Sequence, residues 1–170
     1  MGMYKHVKSN IVSGFKTRSE TYRGRLIKWH SEPPVVKIER PTNVARAREL
    51  GYRAKQGVVM VRVRVQGGTK HRIAADGGRK PSKSGKYYTR HKSVKQIAEE
   101  KASRKFLNCE ALNSYFIGSA GSENYYEVIM IDRNSPSIKS DASYSVAAKQ
   151  KGRAFRAVTR EGRRTRGLAQ

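Results

Sequence analysis

Gly57-Val58-Val59-Met60-Val61-Arg62-Val63-Arg64-Val65 places valine at every second position from 59 to 65. A period of two in β-branched residues marks a strand with one face buried. The other face begins apolar at Val58 and Met60 and ends cationic at Arg62 and Arg64. The strand is therefore expected to run out of the interior toward something negatively charged. The segment after it is polar, glycine-rich and basic, so the nonapeptide predicts a small packed domain with cationic segments spreading outward.

Composition says what those segments meet. The 170 residues carry 37 Lys and Arg against 13 Asp and Glu, a net charge of +24. Such an excess must be neutralised by a polyanion in any compact environment, and nucleic acid fits best. Leu, Ile, Val and Phe make up 32 of the 170 residues, close to the level at which a chain fails to fold. They concentrate between 35 and 132, where a core is needed. No apolar run exceeds four residues, as in Val58 to Val61 and Val128 to Ile131, so neither a signal-peptide core nor a transmembrane helix is expected. Met1-Gly2-Met3-Tyr4-Lys5-His6 has His where a myristoylation signal needs Ser or Thr. A lone cysteine, Cys109, fits a reducing compartment, cytosolic or nuclear.

Outward from the organising strand toward the N-terminus, Pro41 followed by Thr42 or Asn43 as cap predicts a short helix with Val44, Ala47 and Leu50, closed by Gly51 in a left-handed conformation. Arg46, Arg48, Arg53 and Lys55 surround it. Val35 to Glu39, after Pro33-Pro34, reads as a first strand. Residues 1–34 read as a basic helical extension of two short helices. Tyr22, Leu26 and Trp29 share one helical face there, with Arg23, Arg25 and Lys28 among them. Two readings stay open: a core-facing stripe, or a cationic aromatic surface for phosphate contact and stacking.

Toward the C-terminus, residues 66–92 predict a long basic loop containing eight Lys or Arg, among them Lys70, Arg72, Arg79 and Lys80. A P-loop needs four residues between Gly and Gly-Lys-Ser/Thr; Gly78 to Lys86 has six, and Tyr87 follows. Ser93 with Gln96 makes a capping box for a helix carrying Val94, Ile97, Ala98 and Ala102. Its Glu99, Glu100, Lys101, Arg104 and Lys105 read as a solvated or RNA-facing side. Leu112 to Ile117 and Tyr125 to Asp132 predict an antiparallel hairpin joined through residues 118–124, the second strand central because both its faces are apolar. Residues 35–132 thus form an α+β core in the order β-α-β-α-β-β. Residues 133–170 lose periodicity, carry ten Lys or Arg against Asp141 and Glu161, and are expected to be an extended tail that is unfolded until RNA orders it.

Catalysis finds little support. His6, His30, His71 and His91 have no i, i+4 pairing and no ligand spacing with Cys109. Glu127 and Asp132 alone stand close to a strand and point to opposite faces, unlike a magnesium-holding pair. No Gly-x-Ser-x-Gly elbow is present. No cofactor, no metal and no small-molecule substrate is expected.

Leu50-Gly51-Tyr52-Arg53-Ala54-Lys55-Gln56-Gly57 resembles the archaeal and eukaryotic family of large-subunit ribosomal protein fifteen, the eukaryotic type. The likeness continues through Ile38-Glu39-Arg40-Pro41-Thr42, Leu112-Asn113-Ser114-Tyr115, Tyr126 to Asp132 and Arg164-Thr165-Arg166-Gly167-Leu168, nearly the whole chain, and its brevity looks archaeal. The resemblance implies a four-stranded antiparallel or mixed sheet covered by helices, with extensions buried in RNA. It also implies a structural, non-enzymatic protein of the cytoplasmic ribosome, whose partners are large-subunit ribosomal RNA and neighbouring ribosomal proteins, with no membrane.

The mechanism inferred is phosphate neutralisation with counterion release, arginine forks bridging RNA strands. The candidate RNA-binding residues are Arg23, Arg25, Arg46, Arg53, Lys55, Arg62, Arg64, Lys70, Arg72, Arg79, Lys80, Arg153, Arg156, Arg160, Arg163, Arg164 and Arg166. Two other classes compete. An RNA-processing enzyme would show metal-dependent cleavage or modification; a nucleic-acid architectural protein outside the ribosome would co-sediment with another particle.

Overall fold

A computed structural model describes residues 2–71, 76–78, 80, 82, 85 and 87–168. The helices are α1 (Met3–Lys16), α2 (Glu20–Ser31), α3 (Val44–Glu49), α4 (Val94–Lys105), α5 (Pro136–Lys139), α6 (Ala142–Lys149) and α7 (Arg160–Thr165). The strands are β1 (Val35–Ile38), β2 (Val58–Gln66), β3 (Lys70–His71), β4 (Tyr87–Tyr88), β5 (Cys109–Ala120) and β6 (Glu123–Asp132). Four strands form an antiparallel sheet in the order β1-β2-β6-β5. The organising strand β2 and the doubly apolar β6 are its two central strands, with Val61 opposite Val128 and Val63 opposite Tyr126.

Helices cover both faces because both faces of the central strands are apolar. Val61, Val63 and Val65 join Val128, Met130 and Ala111 beneath α4, whose Ala98 and Ala102 are fully buried and let the helix axis come close. Each fully buried valine contributes about 1.5–3 kcal/mol. On the opposite face Met60, Ile129 and Tyr115 pack against Ala47 and Leu50 at α3. Farther along that face Ile131 meets Ile138, Tyr144, Ala147 and Ala148 from α5 and α6. The capping residues expected from sequence act where predicted. Asn43 accepts the Arg46 N–H at 2.9 Å, Ser93 accepts the Gln96 N–H at 3.1 Å, and Gly51 closes α3 at φ +95°.

Four features differ from the sequence reading. The β5–β6 connection is tighter than residues 118–124, because pairing continues to Ala120 opposite Glu123, interrupted by irregularities at Ala111/Asn113 and Phe116/Gly118. The basic loop carries a short ribbon in which Lys70 pairs with Tyr88 and His71 with Tyr87. The charged flank of α4 is partly interior, since Glu99 and Glu100 are both buried by neighbouring elements. The C-terminal residues are not extended. They turn through α5, α6 and α7, and Ala154, Thr159 and Glu161 are buried. Periodicity over a window cannot detect helices of four to eight residues that dock through a few small side chains.

Candidate nucleic-acid interface

The acidic residues show how this basic chain holds itself together. Glu127, alone among apolar neighbours on β6, is fully buried and accepts the Thr42 N–H at 3.1 Å and the Tyr115 hydroxyl. It ties the β1–α3 connection to the sheet. Glu99 accepts the Ser114 hydroxyl at 2.5 Å and the Thr159 hydroxyl at 2.6 Å, joining α4, β5 and the C-terminal segment. Glu110 accepts the N–H groups of Gly152 and Arg153 at 2.8 and 3.0 Å. Burial pushes the carboxyls of Glu99 and Glu127 above the ordinary range, against the hydrogen bonds that favour their charged forms. Hydrogen bonds from Lys8 and Arg46 hold Glu49 below its usual value, and one from Lys55 does the same for Asp141.

These attachments sort the predicted cations into two groups. Arg62 and Arg64 lie on the face of β2 that α2 covers. The Arg62 guanidinium sits 2.5 Å from Glu32 and 5.1 Å from the Trp29 ring centroid, and its side chain is only 12 % exposed. Arg64 donates to the His30 carbonyl at 2.7 Å and lies 3.5 Å from Glu123. The negative charge that the strand reaches is supplied by the protein itself. Tyr22 and Trp29 are likewise buried, Trp29 with its ring centroid 5.5 Å from that of Tyr125, so the core-facing reading of the stripe holds. Arg46 pairs with Glu49 at 2.5 Å and Lys55 with Asp141 at 2.9 Å. Arg153 is half-buried, donating through Nε to the Ala111 carbonyl at 3.1 Å and through Nη1 to the Gln150 side chain. That contact also satisfies a carbonyl on the edge strand β5.

The second group faces outward. Arg23 and Arg25 are exposed on α2, Arg53 and Lys80 in connections, and Arg156, Arg160, Arg163, Arg164 and Arg166 in the C-terminal segment. Lys70 begins β3; Arg72 and Arg79 lie outside the described residues. Exposed Arg104 and Lys105 extend the C-terminal basic surface along α4, Arg104 resting 5.9 Å from the Phe155 ring centroid. Sequence reasoning assigned these two only to a general charged flank, because their role depends on the C-terminal segment returning to α4.

The geometry of α7 concentrates this charge. Thr159 caps it by accepting the Gly162 N–H at 3.2 Å while donating to Glu99. A Cβ on Gly162 would stand 2.5 Å from the Ala157 Cα, so glycine permits the close return of the chain. At the other end Gly167, with φ +73°, donates to the Arg164 carbonyl, and Leu168 donates to the Arg163 carbonyl at 2.8 Å. This reverse turn folds Leu168 back beside the helix. Arg153, Arg160 and Arg163 are thereby brought together with Leu112, Asn113, Val158 and Leu168 around one cleft of about 430 Å³. Arg23 and Arg25 stand apart from it on α2.

Among the described residues no cluster of three or more His, Cys, Asp or Glu could hold a metal ion. The buried carboxylates each have structural partners, and no helix there is long and apolar enough to cross a membrane. What the surface offers is fixed positive charge on a rigid scaffold.

Comparison with known proteins gives a consistent picture. The family model described as Ribosomal L15, of the L15e type, matches residues 2–170. The chain is also 43% identical over 173 residues to the large ribosomal subunit protein eL15 of Methanocella arvoryzae, an alignment covering 97% of this chain and 88% of that protein.

Proposed function

Since the chain belongs to the L15e family of ribosomal proteins, we propose that it binds and stabilises folded large-subunit ribosomal RNA by neutralising phosphates in the assembled subunit. A structural constituent of the ribosome is the family's role. The observation that carries the finer reading is the division of charge. Acidic residues are largely committed to partners inside the protein, while Arg156, Arg160, Arg163, Arg164 and Arg166 remain exposed on an ordered support. A preorganised arginine surface loses little conformational entropy on binding, and each fork can bridge two phosphate oxygens. Neighbouring ribosomal proteins are further proposed partners.

Titration of the purified protein onto large-subunit ribosomal RNA tests this. If six to ten phosphates are contacted, affinity falls by about three to five decades between 50 and 200 mM salt. A flat salt dependence contradicts the proposal, and so does absence of the protein from the large-subunit peak of a sucrose gradient.

A further inference from the structure

The cleft at the edge of the sheet holds more than a generic basic surface requires. Its cationic wall is Arg153, Arg160 and Arg163, and among the described residues no carboxylate lines it. Arg163 and Arg156 disfavour the charged form of Arg153, which burial already disfavours most and Glu110 supports. Arg160 and Arg163 are exposed there, so the cleft offers an anion two cations. The remaining lining is of a different kind. Leu112, at the irregularity of β5, Val158 and Leu168 form apolar walls, and Leu168 is held there by the turn after Gly167 while staying 63 % exposed. Asn113 also lines it, its amide nitrogen donating to the Leu50 carbonyl at 3.4 Å.

We infer that this cleft accepts one unstacked RNA nucleotide, with its phosphate on Arg160 and Arg163 and its base against Leu168 and Val158. The inference rests on the RNA-binding reading above. A cleft of about 430 Å³ lies within the ~300–1,000 Å³ range of sites that enclose small ligands. Proteins read RNA chiefly through splayed-out bases, whose edges become accessible only when unstacked. Phosphate alone would need the arginines and nothing apolar. An apolar peptide would gain nothing from the exposed Arg160 and Arg163.

The test uses the full chain and RNA hairpins carrying one bulged A, C, G or U, beside the same hairpin with an abasic bulge, read by fluorescence anisotropy. At least one base-bearing hairpin binds about tenfold tighter than the abasic one, the order expected from removing one base and two aliphatic side chains from water. Leu168→Ser, at an exposed position, removes that preference; Val158→Ser does the same if a thermal melt shows it folded. Arg160→Gln with Arg163→Gln weakens both hairpins. Equal binding of all hairpins by the unmodified protein overturns the pocket and leaves the RNA-binding reading standing. A preference surviving Leu168→Ser places the base elsewhere and also overturns it. Displacement of the RNA by hexaglutamate with the same Leu168 sensitivity assigns the cleft to an acidic protein segment instead. Failure to bind any hairpin defeats the pocket and the RNA-binding reading together.

Discussion

Arg62 and Arg64 on β2 and Arg163, Arg164 and Arg166 at the C-terminal end share a side-chain type and meet opposite fates. The first pair is folded under α2, against Glu32, Trp29, the His30 carbonyl and Glu123. The other three project from the last helix and its closing turn and are exposed. The difference teaches that a positive charge in this chain cannot be assigned to RNA until its own carboxylates have been placed. Those carboxylates select which cations are structural. Glu99 and Glu110 accept the Thr159 hydroxyl and the Gly152 and Arg153 N–H groups, and so fasten the C-terminal segment with its remaining arginines exposed.

The largest way to break the contrast is to destroy the core on which both groups depend. Val63 is fully buried beneath α4, and Val63→Asp places an unpaired charge there at a cost of about 5 kcal/mol or more, near the whole stability of a small domain. Loss of the cooperative thermal transition is the expected result. An unchanged melt means the valine face is not core.

Removing the C-terminal segment comes next. Truncation after Gln150 deprives Glu99 and Glu110 of the Thr159, Gly152 and Arg153 donors and uncovers the site filled by Ala154. Destabilisation of about 3 kcal/mol follows from charged groups left without their hydrogen bonds. Composition suggested the reverse, a tail irrelevant to stability. It missed the attachment because the anchoring residues are small or polar, and because Glu99-Glu100 in a charged helix looks solvated until β5 and the C-terminal segment cover it.

Arg62→Ala sharpens the contrast from the other side. Arg62 is only 12 % exposed, stacked on Trp29 and paired with Glu32, so its loss destabilises by about 2 kcal/mol while RNA affinity of the folded variant stays close to the parent's. A large affinity loss without a lower melting temperature assigns Arg62 to RNA after all. The alternation of 59–65 made the strand plain in sequence, and the doubly apolar 128–131 made its partner plain. The counterion for Arg62 lay thirty residues away, beyond three prolines and the α3 helix, where no local pattern reports it.

A smaller effect comes from pH. Glu99 and Glu127 have raised carboxyl pKa values because burial disfavours their ionised forms. The folded state therefore binds their protons more tightly, and stability declines as pH rises from the ordinary carboxyl value of 4.5 through the raised values. Glu49, Glu123 and Asp141 are lowered, chiefly by hydrogen bonds from Lys8, His30 and Lys55 respectively. Their contribution is present above the unfolded values and is lost as pH falls through the folded ones. A melting series with Glu99→Gln should flatten the decline above 4.5 and leave the acid limb alone. An unaltered decline shows that Glu99 does not titrate there.

The slope of log affinity against log salt on large-subunit ribosomal RNA tests the division of arginines most directly. Each phosphate contact contributes about 0.7–0.9 to that slope. The triple variant Arg163→Gln, Arg164→Gln, Arg166→Gln should therefore lose about 2–3 from its magnitude with its melting temperature unchanged, whereas Arg62→Gln keeps the parent slope and melts lower. The account is contradicted if Arg62→Gln reduces the slope and the triple variant does not.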